Sequence, residues 1–108
     1  MSTATQAAKR NEAIYYNALV AAQKAADEHV DTHFHPGFVS VVLESGRTSF
    51  ARWARENGGF RSRYNRAGLA KFVPLRTQSV PHQLAYAHAF AATLNSEGIK
   101  ASVDYMTD

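Results

Sequence analysis

The densest group of side chains capable of chemistry in this 108-residue chain is His29-Val30-Asp31-Thr32-His33-Phe34-His35. Imidazole nitrogens are good ligands for zinc or nickel, so His29, His33 and His35 are the residues that could hold a divalent ion. Pro36-Gly37 follows at once and ends regular structure. The simplest reading is therefore an exposed connector that holds three histidines, and no metal is expected. His82 and His88 lie six residues apart in a helical stretch, face roughly opposite sides and make no pair. No Ser-His-Asp set can be argued from spacing. The chain has no cysteine, which excludes disulfides, thiol catalysis and thiolate metal sites. Gly58-Gly59 and Gly68 are isolated turn signals, not a phosphate-cradling loop. Glu44, Glu56 and Asp104 are lone carboxylates without an evident acid–base partner. The expectation is a non-catalytic protein with no cofactor.

Charge is the second signal. The net charge of +3 conceals an uneven distribution. Arg47, Arg52, Arg55, Arg61, Arg63, Arg66, Lys71 and Arg76 face a single acid, Glu56, so the segment from Arg47 to Arg76 carries +7. The rest of the chain carries −4. Arginine is the side chain best suited to phosphate forks and base stacking, and a concentrated basic stretch is the electrostatic footprint of a polyanion partner. An arginine-rich solvated face is the alternative. The apolar fraction of 45% speaks against wholesale disorder. No apolar run reaches the ~18 residues of a membrane span. The first residues lack the basic patch and leucine-rich stretch of a signal peptide. A cytoplasmic location is expected.

The elements that must position these residues are legible from periodicity. Residues 3–29 read as an alanine-dominated helix with Ile14, Ala18, Ala21 and Ala25 on one narrow face. That helix either lies across the main domain or pairs with a copy of itself, and Tyr15, Tyr16 and Leu19 could serve a homodimer or a protein partner. Residues 30–37 are the connector. Phe38–Glu44 alternates as a strand. Thr48 caps a short helix to Asn57, with Phe50, Trp53 and Ala54 on one side and Arg52 and Arg55 on the other. Phe60–Asn65 and Leu69–Leu75 read as a hairpin, although Pro74 cannot donate to a ladder and should end its strand by Val73. Ser79 and Pro81 start a helix running to Ser96. Gly98 then provides its C-terminal stop, with Ile99 folding back on Leu94. Ala101–Met106 is a last strand.

Residues 1–108 thus form a single domain: a helix at 3–29, a connector at 30–37 and an α+β core at 38–106. After the leading helix the order is βαββαβ, the ferredoxin-like arrangement, in which two helices cover one face of a four-stranded antiparallel sheet. Alternation then assigns the faces. Val39, Val41, Leu43, Phe60, Ser62, Ala70, Phe72, Val103 and Tyr105 are expected inward. Phe38, Ser40, Val42, Arg61, Arg63, Asn65, Lys71 and Val73 are expected outward. The open face would gather Arg61, Arg63, Lys71 and Phe38, with Arg66 at the hairpin tip and Arg52 and Arg55 flanking. Such a surface could neutralise successive phosphates with low sequence specificity, and Phe38 could stack on an unpaired base.

Three resemblances accompany these readings. Asp31-Thr32-His33-Phe34-His35 resembles the Asp-x-His-x-His motif of amidohydrolases, in which two histidines on a strand bind a divalent metal. That family needs a (β/α)₈ barrel of ~250 residues, and here the motif follows a helix and precedes Pro-Gly. Gly68-Leu69-Ala70-Lys71-Phe72-Val73 resembles the Gly-aromatic-Gly/Ala-Phe-Val run that RNA-recognition motifs carry on their third strand. It has an extra residue in the middle and no aromatic at the stacking position, so only the use of the sheet face carries over. Finally, Leu84–Ala101 together with Ser49-Phe50-Ala51-Arg52-Trp53-Ala54 looks like small uncharacterised proteins of actinobacterial phages. That likeness implies an accessory protein acting in the host cytoplasm by binding, and it names no functional residue.

Overall fold

The computed structural model of the chain describes residues 3–30, 34–62, 68–75 and 79–107. Asp31, His33, Arg63, Tyr64, Asn65, Arg66 and Arg76 lie outside the described residues, as do the expectations that fall on them. In chain order the elements are α1 (Thr3–Glu28), β1 (Gly37–Leu43), α2 (Ser49–Asn57), β2 (Arg61–Ser62), β3 (Leu69–Phe72), α3 (Val80–Ser96) and β4 (Ala101–Thr107). The strands form one antiparallel sheet in the order β2-β3-β1-β4. β1 and β3 are therefore its central strands. The fold is α+β, with three helices and a four-stranded antiparallel sheet among the described residues.

Local chemistry explains the element ends. The Thr48 hydroxyl accepts the Ala51 N–H at 3.1 Å and caps α2. α3 closes in a Schellman motif: the Ile99 N–H donates to the Leu94 carbonyl, the Gly98 N–H donates to the Asn95 carbonyl, and Gly98 takes a φ of +80°. The start of α3 is tied to the chain entering β1. The Val80 N–H donates to the His35 carbonyl, and the fully buried Gln83 amide donates to the Gly37 carbonyl at 3.2 Å. Ser79 precedes the helix as expected, but its hydroxyl does not cap it. β3 stops at Phe72, and one further ladder bond, from the Val73 N–H to the Val39 carbonyl, comes just before Pro74.

The core lies on one side of the sheet. Val39, Val41, Leu43, Leu69 and Val73 meet Phe50, Phe60, Phe90 and Leu94 from the helical side, with Ile14, Ala18, Ala22 and Ala26 of α1 in the same cluster. The stripe that α1 buries is Asn11, Ile14, Ala18, Ala22 and Ala26, so Ala21 and Ala25 sit half-buried at its edge. Of the two roles considered for this helix, the structure shows the first: α1 packs chiefly along α3 and also touches α2. Small side chains allow that close approach. The Asn11 amide adds a hydrogen bond to the Ser49 hydroxyl.

The strand faces follow from the register, and here one expectation is corrected. Val41 lies opposite Lys71, Ser40 opposite Phe72 and Leu43 opposite Leu69. Residues directly opposite in an antiparallel pair share a face. Leu69, Lys71 and Val73 therefore belong to the helical side, and Ala70 and Phe72 to the open side. This is the reverse of the alternation expected for this strand. Burying the branched side chains of Leu69 and Val73 together outweighs burying Phe72, and the pleat then carries Lys71 inward. A Cβ on Gly68 would stand 2.3 Å from the Leu43 carbonyl oxygen. Only glycine admits that close approach of β3 to β1.

Lys71 is accommodated by aromatic and polar groups. Its Nζ lies 4.4 Å from the centroid of the Tyr15 ring, 5.8 Å from Phe90 and 6.0 Å from Phe60. It donates to the Tyr15 hydroxyl, which in turn donates to the Gly58 carbonyl at 2.9 Å. Burial holds the Lys71 amine below its ordinary value of 10.5. Between that lowered value and 10.5 the unfolded chain binds the proton that the folded chain has released. The stability contributed by this side chain therefore rises with pH through that window. Urea unfolding of the native chain and of Lys71→Met across the alkaline range should show the native chain gaining stability relative to the variant as pH rises toward 10.5. A difference that stays flat or falls would contradict the buried position.

Candidate functional site

The open face of the sheet is the side that no described helix covers. Its register runs Phe38 opposite Met106, Ser40 opposite Asp104 and Val42 opposite Ser102 on the β1–β4 side. On the other side Ser40 faces Phe72, Val42 faces Ala70, and Ala70 faces Arg61. Three large apolar side chains stand exposed together: Phe38 (39%), Phe72 (60%) and Met106 (69%). A groove of about 540 Å³ runs among them, lined by Phe38, Ser40, Phe72, Asp104, Tyr105 and Met106. Phe72 lies diagonally across from Phe38, at the roughly 7–8 Å of diagonal cross-strand neighbours. Arg61 is exposed one strand further out.

The residues singled out in the sequence divide among several places. Phe38 and Arg61 occupy the open face, as expected. Lys71 does not: its amine is held among Tyr15, Phe60 and Phe90 on the helical side. Arg52 and Arg55 are exposed on α2, whose Phe50, Ala51 and Ala54 enter the core from the helical side. They therefore belong to the helical layer and do not flank the open face. Arg63 and Arg66 are among the residues not described. The expectation of several cations converging on the flat sheet is thus corrected to one described cation, Arg61, beside an aromatic surface.

Trp53 packs edge-on against Tyr15 at 5.7 Å and beside Phe50 at 6.1 Å, within the core layer. Of the histidines considered as ligands, His29 has its ring 5.7 Å from that of His82, across the end of α1 and the start of α3. His35 is exposed, and its carbonyl holds the Val80 N–H. His33 is not described. Among the described residues no three His, Asp or Glu side chains are grouped so as to hold a metal. No described helix is long and apolar enough to cross a membrane.

No protein-family model matches the chain, and neither a curated protein nor a solved structure matches it.

Two residues of the open face were missed by sequence reasoning, Phe72 and Met106. For Phe72 a signal was present: Leu69 and Val73 share the parity of Lys71, so two branched apolar side chains opposed one phenylalanine. For Met106 the signal is its alternation with Tyr105. The face assignment leads to a stability test. Phe72→Ser should change unfolding stability by no more than about 0.5 kcal/mol, as surface substitutions do. Phe60→Ala, which empties a fully buried site, should cost about 3–5 kcal/mol. Chemical denaturation measures both, and a Phe72→Ser cost matching that of Phe60→Ala would place Phe72 in the core instead.

Proposed function

We propose that this chain is a small non-catalytic binding protein that engages single-stranded nucleic acid across its open sheet face, with low sequence specificity. The observation that carries this reading is the placement of Phe38 and Phe72, on adjacent central strands, exposed side by side with Arg61 beyond them. Exposed aromatics on a flat sheet supply stacking platforms for unpaired bases, and stacking tolerates any base because each has a π-face. Duplex DNA keeps its bases stacked on one another and offers nothing to these rings. Arg61 can neutralise a phosphate of a strand lying over the rings.

The strand order and the antiparallel directions support reading the core as ferredoxin-like, with α1 as an added helix. Domains of that layout often use this sheet face. The basic segment from Arg47 to Arg76 adds long-range attraction for a polyanion, which raises the encounter rate without any direct contact. Arg52 and Arg55 on α2 contribute to that field. A cytoplasmic site of action fits this role, and so does the accessory binding function that the resemblance to phage proteins implies.

A second reading makes the chain a protein-interaction module acting through α1. Tyr16 and Val20 favour it, because they are more than half exposed one turn apart on the side of the helix away from the core. Nucleic-acid titrations separate the two. Fluorescence anisotropy with labelled single-stranded oligonucleotides should show binding at low salt that weakens as salt rises. Each of Phe38→Ala and Phe72→Ala should cost about fivefold to a hundredfold in affinity, from ~1–3 kcal/mol per stacked base. Arg61→Glu should lower the salt slope by about one counterion or more. Absence of binding at low salt, or equal binding by the phenylalanine variants, would overturn the stacking reading and favour the α1 surface.

A further inference from the structure

β4 is a long sheet edge. The other edge, β2, is described for two residues only, whereas β4 runs from Ala101 to Thr107 and pairs with β1 along its whole length. An open edge offers backbone N–H and C=O groups to another strand, and proteins usually blunt it with lysine, proline or a bulge. The sequence Ala-Ser-Val-Asp-Tyr-Met-Thr contains neither lysine nor proline, and its register with β1 runs without a bulge.

Hydrogen-bond phase shows which groups face outward. The Glu44 N–H donates to the Lys100 carbonyl, so this is a hydrogen-bonded pair. Stepping by two along the ladder makes Ser102, Asp104 and Met106 the residues bonded to β1. The N–H and C=O groups of Ala101, Val103 and Tyr105 then point away from the sheet. Ala101 is already served. The Asn95 side chain accepts its N–H at 2.9 Å and donates to its carbonyl at 3.1 Å, in place of a neighbouring strand. Val103 and Tyr105 have no such guard among the described residues.

We propose that β4 is the seam of a homodimer, in which β4 of a second copy pairs antiparallel with it about a two-fold axis at Tyr105. A two-fold axis makes the edge self-complementary, since every outward donor meets an outward acceptor. Three centrings can be compared. With the axis at Val103, Ala101 must bond to the second copy's Tyr105, but Asn95 occupies its groups. Centred on Asp104, the pairing sets Ala101 opposite the second copy's Thr107, and the Asn95 side chain again occupies the Ala101 groups. The axis at Tyr105 asks nothing of Ala101. It pairs Tyr105 with its own copy, Val103 with the second copy's Thr107, and Asp104 with the second copy's Met106.

The exposed side chains agree with this seam. Tyr105 is 57% exposed and Met106 69%. In the dimer the two Tyr105 rings become cross-strand neighbours. The Phe38–Phe72–Met106 patches of both copies join into one face of an eight-stranded sheet. One strand pair buries less than a standard interface, so the dimer forms only as concentration rises. The inference stands apart from the nucleic-acid reading, since either can fail while the other holds.

The absence of cysteine makes a direct test available. Single thiols are introduced as Val103→Cys, Asp104→Cys and Tyr105→Cys, each protein is oxidised mildly, and dimers are counted on non-reducing gels. An axis at Tyr105 brings the two Cα atoms there to about 5.5 Å, within disulfide reach. Tyr105→Cys should therefore crosslink several-fold more than either neighbour. In parallel, sedimentation of the native chain from micromolar to sub-millimolar concentration should show the mass climbing from 11.9 kDa toward twice that. Val103→Pro should stay monomeric over the same range, because it removes an outward N–H and leaves the β1 ladder intact. If that variant loses its circular-dichroism spectrum, the thiol series decides alone. A monomer at every concentration, or crosslinking greatest at Val103 or Asp104, would overturn the proposal. So would a dimer formed equally well by a folded Val103→Pro protein.

Discussion

The register of β3 against β1 is the constraint on which the rest of this structure depends. Leu69 and Val73 are each all but fully buried, and a strand cannot bury both without turning the residue between them to the same side. That residue is Lys71. A half-buried ammonium on the core side of the sheet is costly unless something receives it. Tyr15 of α1 does so, offering its ring face and its hydroxyl together. The same hydroxyl then donates to the Gly58 carbonyl at the end of α2. One phenol thereby joins the central sheet, the leading helix and the α2–β2 turn. The leading helix, for which the sequence left two roles open, contributes Ile14, Ala18, Ala22 and Ala26 to the core.

The same constraint has its consequence on the opposite face. With Lys71 inside, Phe72 is outside, next to Phe38 on the neighbouring strand. The surface changes character, from a lattice of cations to an aromatic platform with Arg61 at its margin. Non-specific binding driven by charge alone would depend almost wholly on salt. Under the proposed function an aromatic platform would add a salt-independent part and favour groups that can lie flat on the rings. On the nucleic-acid reading the basic segment would act by attraction at a distance, since Arg52, Arg55 and Arg61 are all exposed although they occupy different faces.

Much of the fold was legible in the sequence because its signals are local. The span of α1 follows from an alanine-rich run without glycine or proline. The α2 cap at Thr48, the Gly98 stop with Ile99 folding back, and the end of β3 before Pro74 each rest on the chemistry of one or two residues. What local chemistry could not resolve was the parity of a four-residue strand. Lys71-Phe72 can alternate either way, and the hydropathy of two adjacent residues favours the wrong choice. Only the burial of Leu69 and Val73 against β1, together with a tyrosine 56 positions earlier in the chain to receive the lysine, sets it. The candidate site inherited that error. Phe38 and Arg61 are exposed where expected, whereas Lys71 is exchanged for Phe72. The histidine cluster illustrates the same limit, since the ring nearest His29 belongs to His82 on another helix.

The most direct measurement is a backbone and aromatic NMR titration of the labelled chain with a short single-stranded oligonucleotide at low salt. The expected result is that shifts concentrate on Phe38, Ser40, Phe72 and Arg61, with the Phe38 and Phe72 ring signals moving most and Lys71 little affected. Shifts confined to Arg52 and Arg55 on α2, or to Tyr16 and Val20 on α1, with the phenylalanine rings unmoved, would contradict the central claim that the inward turn of Lys71 creates an aromatic binding face.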